Sequence, residues 1–123
     1  MKTTIIPIDL TYFYSITEGN KEFGDTLLKS AIDDIHGHVA KLDQSWKAQD
    51  ASGVKQSAHS LISLSAIAGM PTVEKWCRQI ENTFASAGFQ PELAELINSI
   101  VSGWPEASKE LMAVIEPQMS ISN

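Results

Sequence analysis

One histidine in the middle of a helix-like segment is the residue of this chain best suited to chemistry. His59 stands among the small and apolar residues between Ala58 and Gly69, with no second histidine or cysteine near it in sequence. A metal needs several such ligands, whereas a lone imidazole suits a nucleophile that a partner protein must reach. The competing interpretation is a half-buried histidine that only packs, and the surrounding residues bear on that choice.

The predicted helix around His59 has a buried stripe, and the histidine lies beside it. At about 100° per residue, the core-facing stripe comprises Val54, Ala58, Leu61, Leu64, Ser65 and Ala68. Five further residues surround His59 on the outer side: Lys55, Gln56, Ile62, Ser63 and Ala66. Because Ile62 and Ala66 add a small apolar strip beside a reachable imidazole, we predict that these five residues form a docking surface for a partner.

Apolar residues recur at helical spacing almost throughout the chain, which predicts an all-α fold. Start and stop signals divide it into four main helices, from Asn20 to about Lys47, Asp50 to Ala68, Pro71 to Gly88, and Pro91 onward. A short helix over residues 9–16 could cover one end. Four amphipathic helices with short connections predict an antiparallel up-down four-helix bundle with a short N-terminal lid helix. Pro105 is expected to kink or split the last helix.

Composition narrows the functional classes. The 123 residues suit one domain, and we expect a single domain over 1–123 with a core of about 8–115 and frayed ends, including the tail from Pro117. A net charge of −6 argues against a nucleic-acid partner. The single Cys77 excludes an internal disulfide and fits a reducing compartment. No stretch approaches the roughly 20 apolar residues of a membrane span, so we expect a cytoplasmic domain.

Other chemistries have weaker support. His36 and His38 are two residues apart on a helix and point in different directions, so they do not chelate together. Asp33 and His36 have a usable spacing, but the repeated Glu-x-x-His set of a di-iron bundle is absent from the sequence. Mid-helix serines near His59 lack the exposed turn of a hydrolase nucleophile. The sequence has no glycine-rich phosphate loop, so it does not indicate ATP use. An enzyme that acts on a small ligand is a distant alternative.

The surroundings of His59 resemble those in histidine-containing phosphotransfer (HPt) domains. That family's signature is a histidine, then a leucine, a Lys-Gly pair, small residues and a glycine at the helix end. The matching places are occupied here by His59, Leu61, Ser63, Ser65, Ala66 and Gly69. Further matching stretches are Asp9-Leu10, the turn from Gly19 to Phe23, and the stretch from Trp76 to Glu81. The resemblance extends over about residues 8–115.

The resemblance implies a phosphoryl carrier rather than an autonomous enzyme. His59 would accept a phosphoryl group from a receiver-domain aspartate, and Glu81, 22 residues later, holds the place of the acceptor that orients the imidazole. The implied partners are a response-regulator receiver domain, a hybrid histidine kinase, or both. The chain would be a monomer without a cofactor of its own, because the Mg²⁺ would belong to the partner receiver.

Two departures from the family pattern leave a second hypothesis open. Ile62 and Ser63 stand where the family usually has lysine and glycine, and Ile62 supplies no positive charge. Lys55, one turn before His59, is the candidate replacement. We expect the missing lysine to change phosphohistidine stability and transfer rate rather than abolish transfer. The alternative is a degenerate HPt-like helical adaptor that binds a receiver or kinase without phosphotransfer.

Overall fold

The computed structural model describes residues 4–115, which form five α-helices and no strand. The helices are α1 (Thr11–Thr17), α2 (Lys21–Lys47), α3 (Ala51–Ile67), α4 (Pro71–Ala87) and α5 (Glu92–Ile115). α3 packs against α2 and α4, α2 also packs against α5, and α4 touches α5. This arrangement confirms the predicted four-helix bundle with a short N-terminal helix. The tail from Pro117, which was predicted to fray, lies outside the described residues.

Side chains at the helix ends explain where the helices begin. The Asn20 side chain accepts a hydrogen bond from the backbone N–H of Phe23 at 3.0 Å, and Asp50 accepts one from Gly53 at 3.1 Å. Each satisfies a donor that the first turn of a helix leaves without a partner. Pro71 occupies the first turn of α4, where its missing N–H costs nothing. These helix starts confirm those predicted for α2, α3 and α4.

The first helix begins two residues later than the sequence predicts. Asp9 lies outside α1, and its carboxylate accepts hydrogen bonds from the Thr11 hydroxyl at 2.7 Å and the Thr11 N–H at 3.0 Å. Both bonds lower the pKa of the Asp9 carboxyl, and the bond from the hydroxyl has the larger effect. Asp9 is therefore a turn residue that leads into the helix rather than part of it.

Pro105 was predicted to kink or split the last helix. The helix runs through Pro105 without a break, so the predicted split is wrong. A proline removes one helical hydrogen bond and crowds the preceding turn. Here the residues on both sides of it are buried: Trp104 is 4% exposed, Ala107 2% and Leu111 0%. Burial of this face on either side of Pro105 outweighs the missing bond.

The core is assembled from all five helices and from Ile6, which precedes them. On α2, apolar residues at helical spacing from Phe23 to Trp46 predict one continuous buried stripe. It is buried over most of its length, but Phe23 at its start is 48% exposed, which corrects that part of the prediction. The three tryptophans lie on helical stripes and were expected in the core. Trp104 is buried there, whereas Trp46 and Trp76 are only partly buried at its edge. Within residues 4–115, no helix is both long and apolar enough to cross a membrane.

A backbone contact ties the N-terminal segment to the connection between α3 and α4. The N–H of Asp9 donates to the carbonyl of Gly69 at 2.7 Å. Gly69 has a φ of +74°, and a Cβ there would come within 2.5 Å of the Asp9 carbonyl oxygen. Glycine is therefore required at this position for two reasons: its left-handed backbone conformation and the close approach of the Asp9 backbone. The predicted lid helix is thus anchored where α3 ends.

We expect Gly69→Ala to destabilise the fold while Gly37→Ala does not. The left-handed backbone alone costs an alanine about 1–2 kcal/mol, and the clash with Asp9 adds to this. Gly37 lies inside α2, and apart from the adjacent backbone of that helix no atom lies within 4 Å of the place that an alanine methyl group would take. Alanine there should therefore stabilise the fold by about 0.5–1 kcal/mol. Chemical denaturation of both variants measures the difference, and equal stability would contradict the role given to Gly69.

Candidate functional site

The side chains of His59 and Glu81 meet across neighbouring helices. His59 Nδ1 lies 2.6 Å from Glu81 Oε2, joining α3 to α4. The two residues are 22 positions apart, and the short turn between the antiparallel helices brings them to the same level. The imidazole side chain is 73% exposed and the Glu81 side chain 36%. The structure therefore contains, at the surface of the bundle, the contact that the family resemblance implies.

This contact determines which ring nitrogen can react. A carboxylate only accepts hydrogen bonds, so Nδ1 must carry the proton that it donates to Glu81. In the neutral ring the lone pair is then on Nε2. Among the described residues, no hydrogen bond to Nε2 is present. The result is an exposed imidazole with one nitrogen held and the other available to a partner.

Buried residues on both helices set the position of this pair. On α3, Ala58 and Leu61 on either side of His59 are 0% exposed, which turns the histidine outward. On α4, Cys77 and Ile80 are also 0% exposed, and Glu81 follows Ile80 at the edge of that buried stripe. Because both stripes must face the core, the rotation of each helix about its axis is constrained. The contact between the two polar side chains follows from apolar packing.

The predicted docking surface is present except at Ile62. Lys55, Gln56 and Ser63 are exposed and Ala66 is partly exposed. Ile62, however, is only 9% exposed and belongs to the core, so its assignment to an exposed apolar strip is wrong. α3 has neighbours on three sides, α1, α2 and α4, and the face it buries is wider than a single-stripe estimate allows.

A groove continues this surface toward the N-terminal helix. It has a volume of about 590 Å³ and lies between α1, the end of α3 and the start of α4. Its lining residues are Asp9, Thr11, Tyr12, Ser15, Ala66, Gly69, Pro71 and Glu74. Ala66 is shared with the predicted docking surface, so the exposed face of His59 and the groove form one continuous region.

One contact beside His59 was not predicted from the sequence. Lys41 Nζ of α2 donates to Gln56 Oε1 of α3 at 3.1 Å. Gln56 is one turn before His59, so this bond brings a cation to the edge of the site. The chain folds back at residues 48–50, which places Lys41 and Gln56 level with each other on adjacent helices. The register of this helical hairpin could have predicted the contact.

The other candidates carry no support for a second chemistry. The His36 ring accepts a hydrogen bond from the Trp104 indole at 3.4 Å. Within residues 4–115, no group of three or more His, Cys, Asp or Glu side chains could hold a metal ion. Of the serines near His59, Ser65 is 0% exposed, whereas Ser60 and Ser63 reach the surface but lie inside α3 rather than on an exposed turn.

Comparison with protein families agrees with this geometry. The model of the Hpt domain matches residues 26–115, well over half of the chain and including both His59 and Glu81. The chain therefore belongs to the Hpt domain family. Hpt domains carry phosphoryl groups in phosphorelays and interact there with receiver domains and kinases. Searches of curated proteins and of solved structures gave no match.

We expect NMR to find the neutral His59 ring as the Nδ1–H tautomer. The Glu81 carboxylate is the reason, because it accepts the Nδ1 proton. ¹⁵N shifts of the ring nitrogens at mildly alkaline pH report the tautomer directly. Glu81→Ala should return the ring to the mixture seen in free histidine. A wild-type ring that already shows that mixture would contradict the hydrogen bond.

The Cys77 thiol should be unreactive in the folded protein. Burial, with a smaller effect of the Glu81 charge, raises its pKa from 9.0 to about 12. At about pH 8 only about one thiol in ten thousand would then be the reactive thiolate. A disulfide reagent should label Cys77 only after unfolding, and rapid labelling of the native protein would contradict this.

The same shift has a consequence for stability. As pH rises, the unfolded chain loses its thiol proton before the folded one does. The free energy of unfolding therefore decreases as the pH rises from 9.0 to about 12.

Proposed function

We propose that His59 accepts a phosphoryl group from the aspartate of a receiver domain and passes it to another acceptor. The observation that carries this proposal is the exposed imidazole whose Nδ1 is held by Glu81 at 2.6 Å. Nε2 is then the nucleophile, and a partner can approach it from solvent. Membership of the Hpt domain family supports the same step.

The transfer is a displacement at phosphorus. The Nε2 lone pair forms a bond to phosphorus as the bond from phosphorus to the aspartyl oxygen breaks, and the aspartate carboxylate is the leaving group. Nδ1 keeps its proton, so positive charge develops on the ring as the new bond forms. The Glu81 carboxylate, in contact with Nδ1, stabilises that charge. Transfer to a second receiver is the reverse of these events.

This chain supplies position and electrostatics, and the partner supplies the rest. Phosphoryl transfer depends mainly on alignment and on charge neutralisation, and the Mg²⁺ for this would be bound by the receiver. Every residue in the proposed mechanism comes from one copy of the chain, so a monomer is sufficient. Lys55, Gln56, Ser63 and Ala66 would contact the receiver, with Ile62 supporting them from beneath.

The adaptor alternative rests on one observation. Ile62 stands where the family usually has lysine, and it is buried, so the cation usual at that place is missing here. An adaptor would keep the same bundle and surface and bind a receiver or kinase. It would not form phosphohistidine.

We expect the wild-type protein to take up label from phosphorylated receiver domains and His59→Gln to take up none. The label should be acid-labile and alkali-stable, as phosphohistidine is. His36→Gln is the matched control, because that histidine is also exposed and a glutamine there can still accept from Trp104. This control should label like wild type.

Two results would count against the proposal. Label that persists in His59→Gln would place the phosphoryl group elsewhere. Receiver binding to the wild type without any labelling would favour the adaptor.

A further inference from the structure

Phosphorylation of His59 would create a local excess of negative charge. A phosphoryl group brings between one and two negative charges at neutral pH, and it would stand beside the Glu81 carboxylate. The whole chain already carries a net charge of −6. Cations close to His59 would reduce this repulsion, and Ile62 supplies none.

Most basic side chains are already engaged. Within residues 4–115, five of them form ion pairs with carboxylates: Lys21, Lys29, Lys47, Arg78 and Lys109. Three further lysines have no carboxylate of residues 4–115 within ion-pair distance: Lys41, Lys55 and Lys75. Lys41 and Lys55 lie beside the exposed face of α3. Lys75 lies on α4, roughly 120° around the helix from Glu81 at 100° per residue.

Lys41 is held in place without being neutralised. Its ammonium donates to Gln56 Oε1 at 3.1 Å, and a side-chain amide carries no charge. Gln56 and His59 are three residues apart on α3 and are therefore neighbours on its surface. The bond between α2 and α3 thus keeps an uncompensated cation beside Gln56, one turn before His59.

The directions of α2 and α3 bring the side chains of Lys41 and His59 toward each other. Side chains on a helix lean toward its N-terminus, so His59 leans toward the turn that contains Lys55 and Gln56. α2 runs antiparallel to α3, so Lys41 leans the opposite way, toward the level of His59. Ile62 lies one turn away on the other side, where the family usually has its lysine.

We propose that Lys41, positioned by Gln56, binds the phosphoryl oxygens of phosphorylated His59 together with Lys55. An ammonium has three donors, so Lys41 can keep its bond to Gln56 while it donates to a phosphoryl oxygen. The two lysines reach His59 from α2 and from α3 and replace the charge that Ile62 lacks. This inference rests on phosphorylation of His59.

The test measures the lifetime of phosphohistidine after chemical phosphorylation with phosphoramidate, which needs no receiver. A background of His36→Gln and His38→Gln leaves His59 as the only histidine. One exposed ion pair contributes up to about 1 kcal/mol, which corresponds to about fivefold. Lys41→Ala and Lys55→Ala should each shorten the half-life by about twofold to fivefold, and the difference should shrink in high salt.

Matched variants separate charge from structure. Lys75→Ala should have the wild-type half-life, and Lys41→Arg should keep most of it because the charge remains. Gln56→Ala should shorten it less than Lys41→Ala, and the double variant should equal Lys41→Ala if Gln56 acts only through Lys41. Unfolding curves that match wild type would show that the fold is intact.

The half-life measurements test the role of the lysines independently of whether a receiver phosphorylates His59. If Lys41→Ala and Lys55→Ala decay like Lys75→Ala, the inference is overturned even when receivers phosphorylate His59. If no receiver labels the wild type but the chemically formed phosphohistidine responds to Lys41 and Lys55, the proposed function fails and the cation site stands.

Discussion

The packing of α3 between α2 and α4 is the constraint on which the rest of the structure depends. Val54, Ala58 and Leu61 are fully buried on α3, so the helix cannot rotate without exposing them. That rotation leaves His59 on the outer face. The buried stripe of α4 likewise places Glu81 at the edge of the core. Apolar burial, which is non-directional, thereby sets a directional contact of 2.6 Å between two polar side chains.

The polar groups around His59 contribute little to folding. The imidazole is 73% exposed, and exposed ion pairs and hydrogen bonds add only about 0–1 kcal/mol each. The site can therefore be altered without loss of the bundle, and its properties reflect geometry and charge rather than stability. α4 engages one ring nitrogen through Glu81, and α2 brings a cation near through Gln56. The two neighbouring helices thus supply opposite charges to opposite sides of α3.

Ile62 shows how packing and electrostatics compete at one position. A lysine there could bury its stem and extend its charge toward solvent, whereas isoleucine adds its whole side chain to the core. At 9% exposure, Ile62 is a packing residue. Lys55 and the Lys41 that bonds Gln56 both lie on the N-terminal side of His59. Toward the other end of α3 the surface opens into the groove beside α1, which Gly69 and Asp9 hold in place.

The sequence by itself determined the helices and the candidate nucleophile. Caps such as Asn20 and Asp50 act within one turn, and apolar periodicity reports which face of a helix is buried, so both can be read locally. Glu81 was identified through family resemblance rather than by spacing. The exposure of Phe23, the burial of Ile62 and the bond between Lys41 and Gln56 were decided by tertiary structure. These features depend on how many helices pack against a given helix and on the register between helices. Both are set by the burial of residues that are distant in sequence.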